Sequence, residues 1–202
     1  MDKLQEFAEK LKKQIILWKN TYKEVDFVPD VSEDAFCPFI EDIKSLKTED
    51  LEYIIVGDNP GQTEKEQQLY FVGRTKYIRS FFESMLGKGW KKKVLFLNKT
   101  PIFSRETVDL NTENKKALEE TQKFMAELII SLHSDLKKCQ LWIVGHSQFK
   151  NGIFATFGGI INGVSDEQKI RICLLKHPSY RGFANDILTT INEYKSMKGS
   201  IK

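Results

Sequence analysis

Three short clusters in the sequence carry residues with chemistry to offer. Gly57, Asp58, Asn59, Pro60 and Gly61 follow an apolar run. They make a tight turn in which glycine lets a ligand approach the backbone while Asp58 and Asn59 supply a carboxylate and an amide. Asn98 closes a second apolar run, and its amide both donates and accepts, as the edge of a pyrimidine ring requires. His177, Pro178, Ser179, Tyr180 and Arg181 follow a later run. Taken singly, each cluster has an ordinary explanation: Asx, Pro and Gly make turns, an Asn caps a loop, and a lone His is commonly a satisfied structural residue. Their shared position at the ends of apolar runs is harder to explain by turn chemistry.

The elements that must position them follow from periodicity. Tyr53 to Val56, Val94 to Leu97, Leu141 to Val144 and Ile170 to Leu175 are short apolar runs bounded by loops, the pattern of buried strands. Leu4, Phe7, Leu11, Ile15 and Trp18 recur at helical spacing over residues 2–18. Further helices are predicted over 75–86 and 113–134, from near Ser147, and over 183–194. Strands alternating with helices predict an α/β fold, a three-layer α/β/α arrangement around a central, mostly parallel four-stranded sheet. Ligands bind such sheets at the carboxyl ends of the strands, where all three clusters fall. The chain reads as a single domain over 1–202. Residues 1–50 form an N-terminal helix and a connecting segment with Pro29 and Pro38, and 51–196 form the core.

Of the 202 residues, 41% are hydrophobic and 29% charged, and no apolar run approaches the roughly 20 residues that span a bilayer. The N-terminal stretch intersperses Asp2, Glu6 and Glu9 with lysines and has no signal-peptide core, so a cytoplasmic monomer without a membrane partner is expected. Cys37, Cys139 and Cys173 are too few and too scattered for a disulfide framework or a four-thiolate site; free thiols, no metal and no cofactor are expected. The net charge of +3 decides nothing about nucleic acid. Lys88 and Lys91 to Lys93 around Trp90 read first as a solvated turn before a strand, and second as a contact to a nucleic-acid backbone.

Together these residues resemble the uracil-DNA glycosylase superfamily. Gly57 to Gly61, then Tyr70, Phe71, Val72, Gly73 and Arg74, then the strand ending in Asn98, then His177, Pro178 and Ser179 stand in the family's order between about Leu51 and Tyr194. The first motif looks like the mismatch-specific and single-strand-selective branches. The Phe-Val-Gly-Arg stretch looks like the iron–sulfur branch, whose cysteine quartet is missing. The resemblance implies a DNA glycosylase that flips uracil or a related deaminated base out of DNA and hydrolyses its N-glycosidic bond, initiating base-excision repair. It implies catalytic roles for Asn59 or Asp58, as holder of the attacking water or stabiliser of a cationic sugar, and for His177, as donor to the departing base. Gly57, Phe71 and Asn98 match the base pocket, with Phe71 as stacking platform and Asn98 as reader of the edge; Phe71 as a plain core aromatic is the competing reading. Pro60, Gly61, Ser179, Tyr180 and Arg181 fall at the DNA contacts, with Arg181 or Phe183 as a wedge in the base stack. Tyr180 departs from the family, which has Pro or a small residue there.

Two other readings compete. A catalytically weak or inactive member that binds DNA or a free base is compatible with the doubled Asp58 and Asn59 and with Tyr180. A flavodoxin-like nucleotide-binding domain would hold a phosphate at the Asp-Asn-Pro-Gly turn, but it leaves His177 unexplained, and the glycine-rich phosphate-binding patterns are absent from the sequence. The loop Gly145, His146, Ser147 after the third strand reads as a helix cap or a DNA contact.

Overall fold

The computed structural model describes residues 2–28, 46–73, 75–110, 115–177 and 183. The first helix, α1 (Lys3–Thr21), starts where Asp2 accepts a hydrogen bond from the Leu4 amide at 2.8 Å, an N-cap that satisfies one of the free first-turn donors. Its apolar stripe from Leu4 to Trp18 is buried as the spacing predicts, and it runs one turn further than that stripe.

Four strands form one parallel sheet: β1 (Tyr53–Gly57), β2 (Val94–Asn98), β3 (Gln140–Val144) and β4 (Ile172–Leu175), in the order β2-β1-β3-β4. Between them lie α2 (Gln62–Gln67), α3 (Tyr77–Leu86), α4 (Lys115–Asp135), α5 (Ala155–Asn162) and α6 (Asp166–Lys169). The chain leaves β1 towards β2 on one side and reaches β3 on the other, so the order reverses at β1 and opens a crevice beyond its carboxyl end.

Side chains along a strand alternate between the faces of the sheet. Tyr53, Phe96 and Trp142 share one face and surround Phe82 of α3, with ring centroids 5.2, 6.3 and 5.5 Å away. On the far side α5 packs on α4, and α4 on α1. The buried Gln122 of α4 ties these layers together, donating to the Ile153 carbonyl at 2.8 Å and accepting from the Phe157 amide at 3.1 Å. The result is the three-layer α/β/α fold that the alternation predicts.

The differences from expectation have local causes. β4 begins at Ile172 because Ser165 caps α6 and Ile170 closes that helix, leaving Ile170 73% exposed. α5 begins at Ala155; His146–Gln148 near the predicted start form only a 3-10 turn. α2 has no apolar stripe to betray it: its six residues are Gln, Thr, Glu, Lys, Glu and Gln. Trp90 is buried and Lys91 and Lys92 stand in an exposed 3-10 turn before β2, in line with the solvated-turn reading. Cys37, most of the connecting segment and the predicted helix over 183–194, apart from Phe183, lie outside the described residues. Among the described residues, no helix is long and apolar enough to cross a membrane.

One buried group away from the strand ends carries a pH prediction. His133 of α4 is fully buried, with Nε2 3.2 Å from the Cys139 carbonyl, and burial, aided by the nearby Arg171 charge, pushes it down to about 4. Its proton affinity is thus lower folded than unfolded, and the unfolded chain takes up the extra proton as pH falls below about 6.5. Stability therefore falls between about pH 6.5 and 4, by roughly 3 kcal/mol from this group. Urea unfolding at a series of pH values checks it; His133→Gln should flatten that slope, and an unchanged slope would refute the assignment.

Candidate active site

Strand parity divides the candidate residues into two groups. Gly57 and Asn98 lie opposite each other at the ends of β1 and β2 and face the same side, and the next residues, Asp58 and Lys99, turn to the other.

On the first side a Cβ at Gly57 would lie 2.5 Å from Asn98 Oδ1 and 2.8 Å from Phe71 Cζ, so only glycine admits this contact. Phe71 is 1% exposed, packs on Phe96 with ring centroids 5.1 Å apart, and has φ +59°, a conformation that side chains rarely adopt. Glu64 holds it there. One oxygen accepts from the Phe71 amide, and the other accepts from the Gly61 amide at 2.8 Å. Burial pushes this carboxyl above its ordinary range, against the pull of the two amides. Asn98 is 2% exposed, and its Nδ2 meets no hydrogen-bond acceptor among the described residues.

On the second side Lys99 is completely buried; its ammonium donates to Asp58 Oδ1 and to the Val144 carbonyl and lies 4.8 Å from the Phe154 ring centroid. Burial pulls the ammonium below its ordinary value, opposed by the Asp58 charge. Asp58 Oδ2 faces His177, whose Nε2 is 3.7 Å away. Gly145, at φ +75°, closes the nest: a Cβ there would lie 2.5 Å from Asp58 Oδ1. Burial first, and Lys99 after it, hold His177 below its ordinary value in spite of Asp58. His146, with Nδ1 3.2 Å from the Leu175 carbonyl, is lowered for the same first reason and by the Lys99 and Lys176 charges.

Asn59 points elsewhere. Its Nδ2 donates to the carbonyls of Pro60 at 3.0 Å and Ser104 at 3.3 Å, and its Oδ1 accepts from the Thr107 hydroxyl at 2.9 Å. These contacts pin the 104–107 loop to the turn after β1. Between them opens a pocket of about 360 Å³, lined by Asn59, Gly61, Glu64, Gly73, Arg105, Thr107 and His177 among others.

The structure thus brings Asn59, Gly61 and His177 to one pocket and sets Asp58 beside His177. Phe71 and Asn98 meet across Gly57 and are not among the residues that line this pocket. Pro60 is buried in the turn. Ser179, Tyr180, Arg181 and Arg74 lie outside the described residues. The wedge role for Phe183 is corrected: its ring is 2% exposed and stands against Tyr77 at 5.8 Å, a packed position that cannot enter a base stack. Gly145 stands at the N-cap position of the 3-10 turn His146–Gln148, in line with the cap reading of that loop, and its missing side chain also makes room for Asp58. Sequence reasoning missed Lys99, Glu64 and Thr107. Glu64 had a signal, an acid three residues after a turn residue, the spacing of a capping box; Lys99 had only its place inside the apolar stretch from Val94 to Phe103.

Comparison with known proteins bears on this geometry. The profile of the uracil DNA glycosylase superfamily matches residues 44–194, three quarters of the chain. No curated protein and no solved structure gives a significant match. The superfamily carries a DNA-glycosylase type of function with DNA as its substrate class. A match of this length, over a parallel sheet whose strand ends hold the ordered motifs, establishes that the chain belongs to the uracil DNA glycosylase superfamily.

Proposed function

We propose that the protein hydrolyses the N-glycosidic bond of uracil or a related deaminated base in DNA. The observation that carries this reading is the Asn98 Nδ2 donor, buried beside Phe71 and Gly57 without an acceptor among the described residues. Leaving such a donor unsatisfied costs about 1–3 kcal/mol. A base carbonyl would satisfy it, with the base's face available for stacking on Phe71.

In the reaction the C1′–N bond breaks with its electron pair passing to the base, the water oxygen bonds to C1′ and keeps one proton as the new hydroxyl, and the other proton passes by way of solvent to the departing base. His177 faces the pocket as a neutral imidazole at pH 7, and a neutral imidazole still has one N–H to donate to charge building on the base. Asp58 offers negative charge near the developing sugar cation. Asn59 is the alternative holder of the water. A flipped base enters only by leaving the duplex stack, a cost of a few kcal/mol that phosphate contacts offset.

One observation favours a second reading, binding without turnover: Asp58 and Asn59 both already hold protein partners. Single-turnover assays separate the two, using oligonucleotides with uracil, hypoxanthine or xanthine, single-stranded and mismatched. Abasic-site formation is expected on at least one. Measurable DNA binding without cleavage of any substrate would replace the proposal by the second reading.

A further inference from the structure

We propose that Lys99 is a positioning residue of this site: its buried ammonium takes one oxygen of the Asp58 carboxylate and balances its charge, so that the other oxygen faces His177 without drawing a proton onto the imidazole. The inference deepens the glycosylase reading and rests on it for its functional meaning, while its physical content concerns three side chains only.

The geometry carries it. Lys99 has no access to solvent and so cannot contact a substrate; it acts through Asp58. Asp58 is confined on three sides, by Lys99 at Oδ1, by the side-chain-free Gly145 and by His177 beyond Oδ2. Ammonium groups are rarely buried without cause, because desolvation is costly. Here the cost is met by a carboxylate, a backbone carbonyl and the faces of Phe149 and Phe154.

Without the Lys99 charge, a carboxylate 3.7 Å from the imidazole would favour its protonated form. Among the described residues, the other charged or titratable groups nearby are His146 and Lys176 at the ends of β3 and β4, and Glu64, Arg105 and Glu106, which share the pocket with His177. After burial, the Lys99 charge also lowers His146. The Coulomb effect of Lys99 on His177 runs in the direction the inference requires.

The test is an NMR pH titration of the His177 imidazole in the full chain. In wild type the midpoint is expected below 6.5, and in Lys99→Met about one unit or more higher, a tenfold change in the ratio of protonated to neutral imidazole. In Lys99→Arg, which keeps the charge, the midpoint should stay near that of wild type. Equal midpoints in wild type and Lys99→Met would overturn the inference. Should Lys99→Met fold poorly, Asp58→Asn and Asp58→Asn/Lys99→Met supply the comparison. Loss of the Lys99 charge must raise the midpoint there too, and identical values would overturn the inference. Titration needs no turnover, so failure of the wild type to cleave DNA counts against the proposed function and not against this inference.

Discussion

His177→Ala lowers single-turnover cleavage by about 10²–10³-fold, the usual loss when one preorganised donor to developing negative charge is removed. The imidazole lies on the pocket wall, and burial together with Lys99 keeps it neutral near pH 7. In the proposed reaction the departing base would receive a hydrogen bond from a fixed group, with no solvent reorganisation needed as charge builds. DNA binding measured by fluorescence anisotropy should change little, because the interaction strengthens only in the transition state. A loss under tenfold, or a loss wholly in binding, would remove His177 from the chemistry.

Lys99→Met destabilises the folded protein by about 3–5 kcal/mol, the range for breaking one partner of a buried ion pair. The Asp58 side chain is only 10% exposed and would be left without its counter-charge. The Val144 carbonyl would also lose a charged donor. The double variant Lys99→Met/Asp58→Asn should regain most of the loss, because removing both charges removes the desolvation cost with the attraction. Urea unfolding with unchanged m-values reads both numbers. A loss below about 1 kcal/mol in the single variant would show that water reaches Asp58 once the ammonium is gone.

Much of the scaffold is legible in the sequence because buried parallel strands are short apolar runs with a loop at each end. Tyr53–Gly57, Val94–Asn98 and Gln140–Val144 all lie within a residue of where those runs predict. β4 is less legible, since Ile170 extends the apolar run but belongs to the end of α6. α2 is hidden by its uniformly polar composition. The site is legible as a set of strand ends, and Asp58, Asn59, Asn98 and His177 do stand there. Their partners are not, because they depend on register. Only once Gly57 is known to lie opposite Asn98 does it follow that Asp58 and Lys99 share a face. A lysine after a strand otherwise reads as a surface residue, and here it is the most buried charge among the described residues. Asn59 was legible as a polar group at the turn, but its tether to Ser104 and Thr107 spans a loop whose path no periodicity describes.

The parity of β2 has a practical consequence. Asn98 and Lys99 are sequence neighbours, yet one side chain meets Phe71 across Gly57 and the other meets Asp58 on the opposite face. The Asn98 contact and the Lys99 charge balance therefore sit on opposite faces of one strand end. A deletion of one residue within β2 would instead carry Lys99 into the place of Asn98, turning an ammonium towards Phe71 and leaving Thr100 towards Asp58.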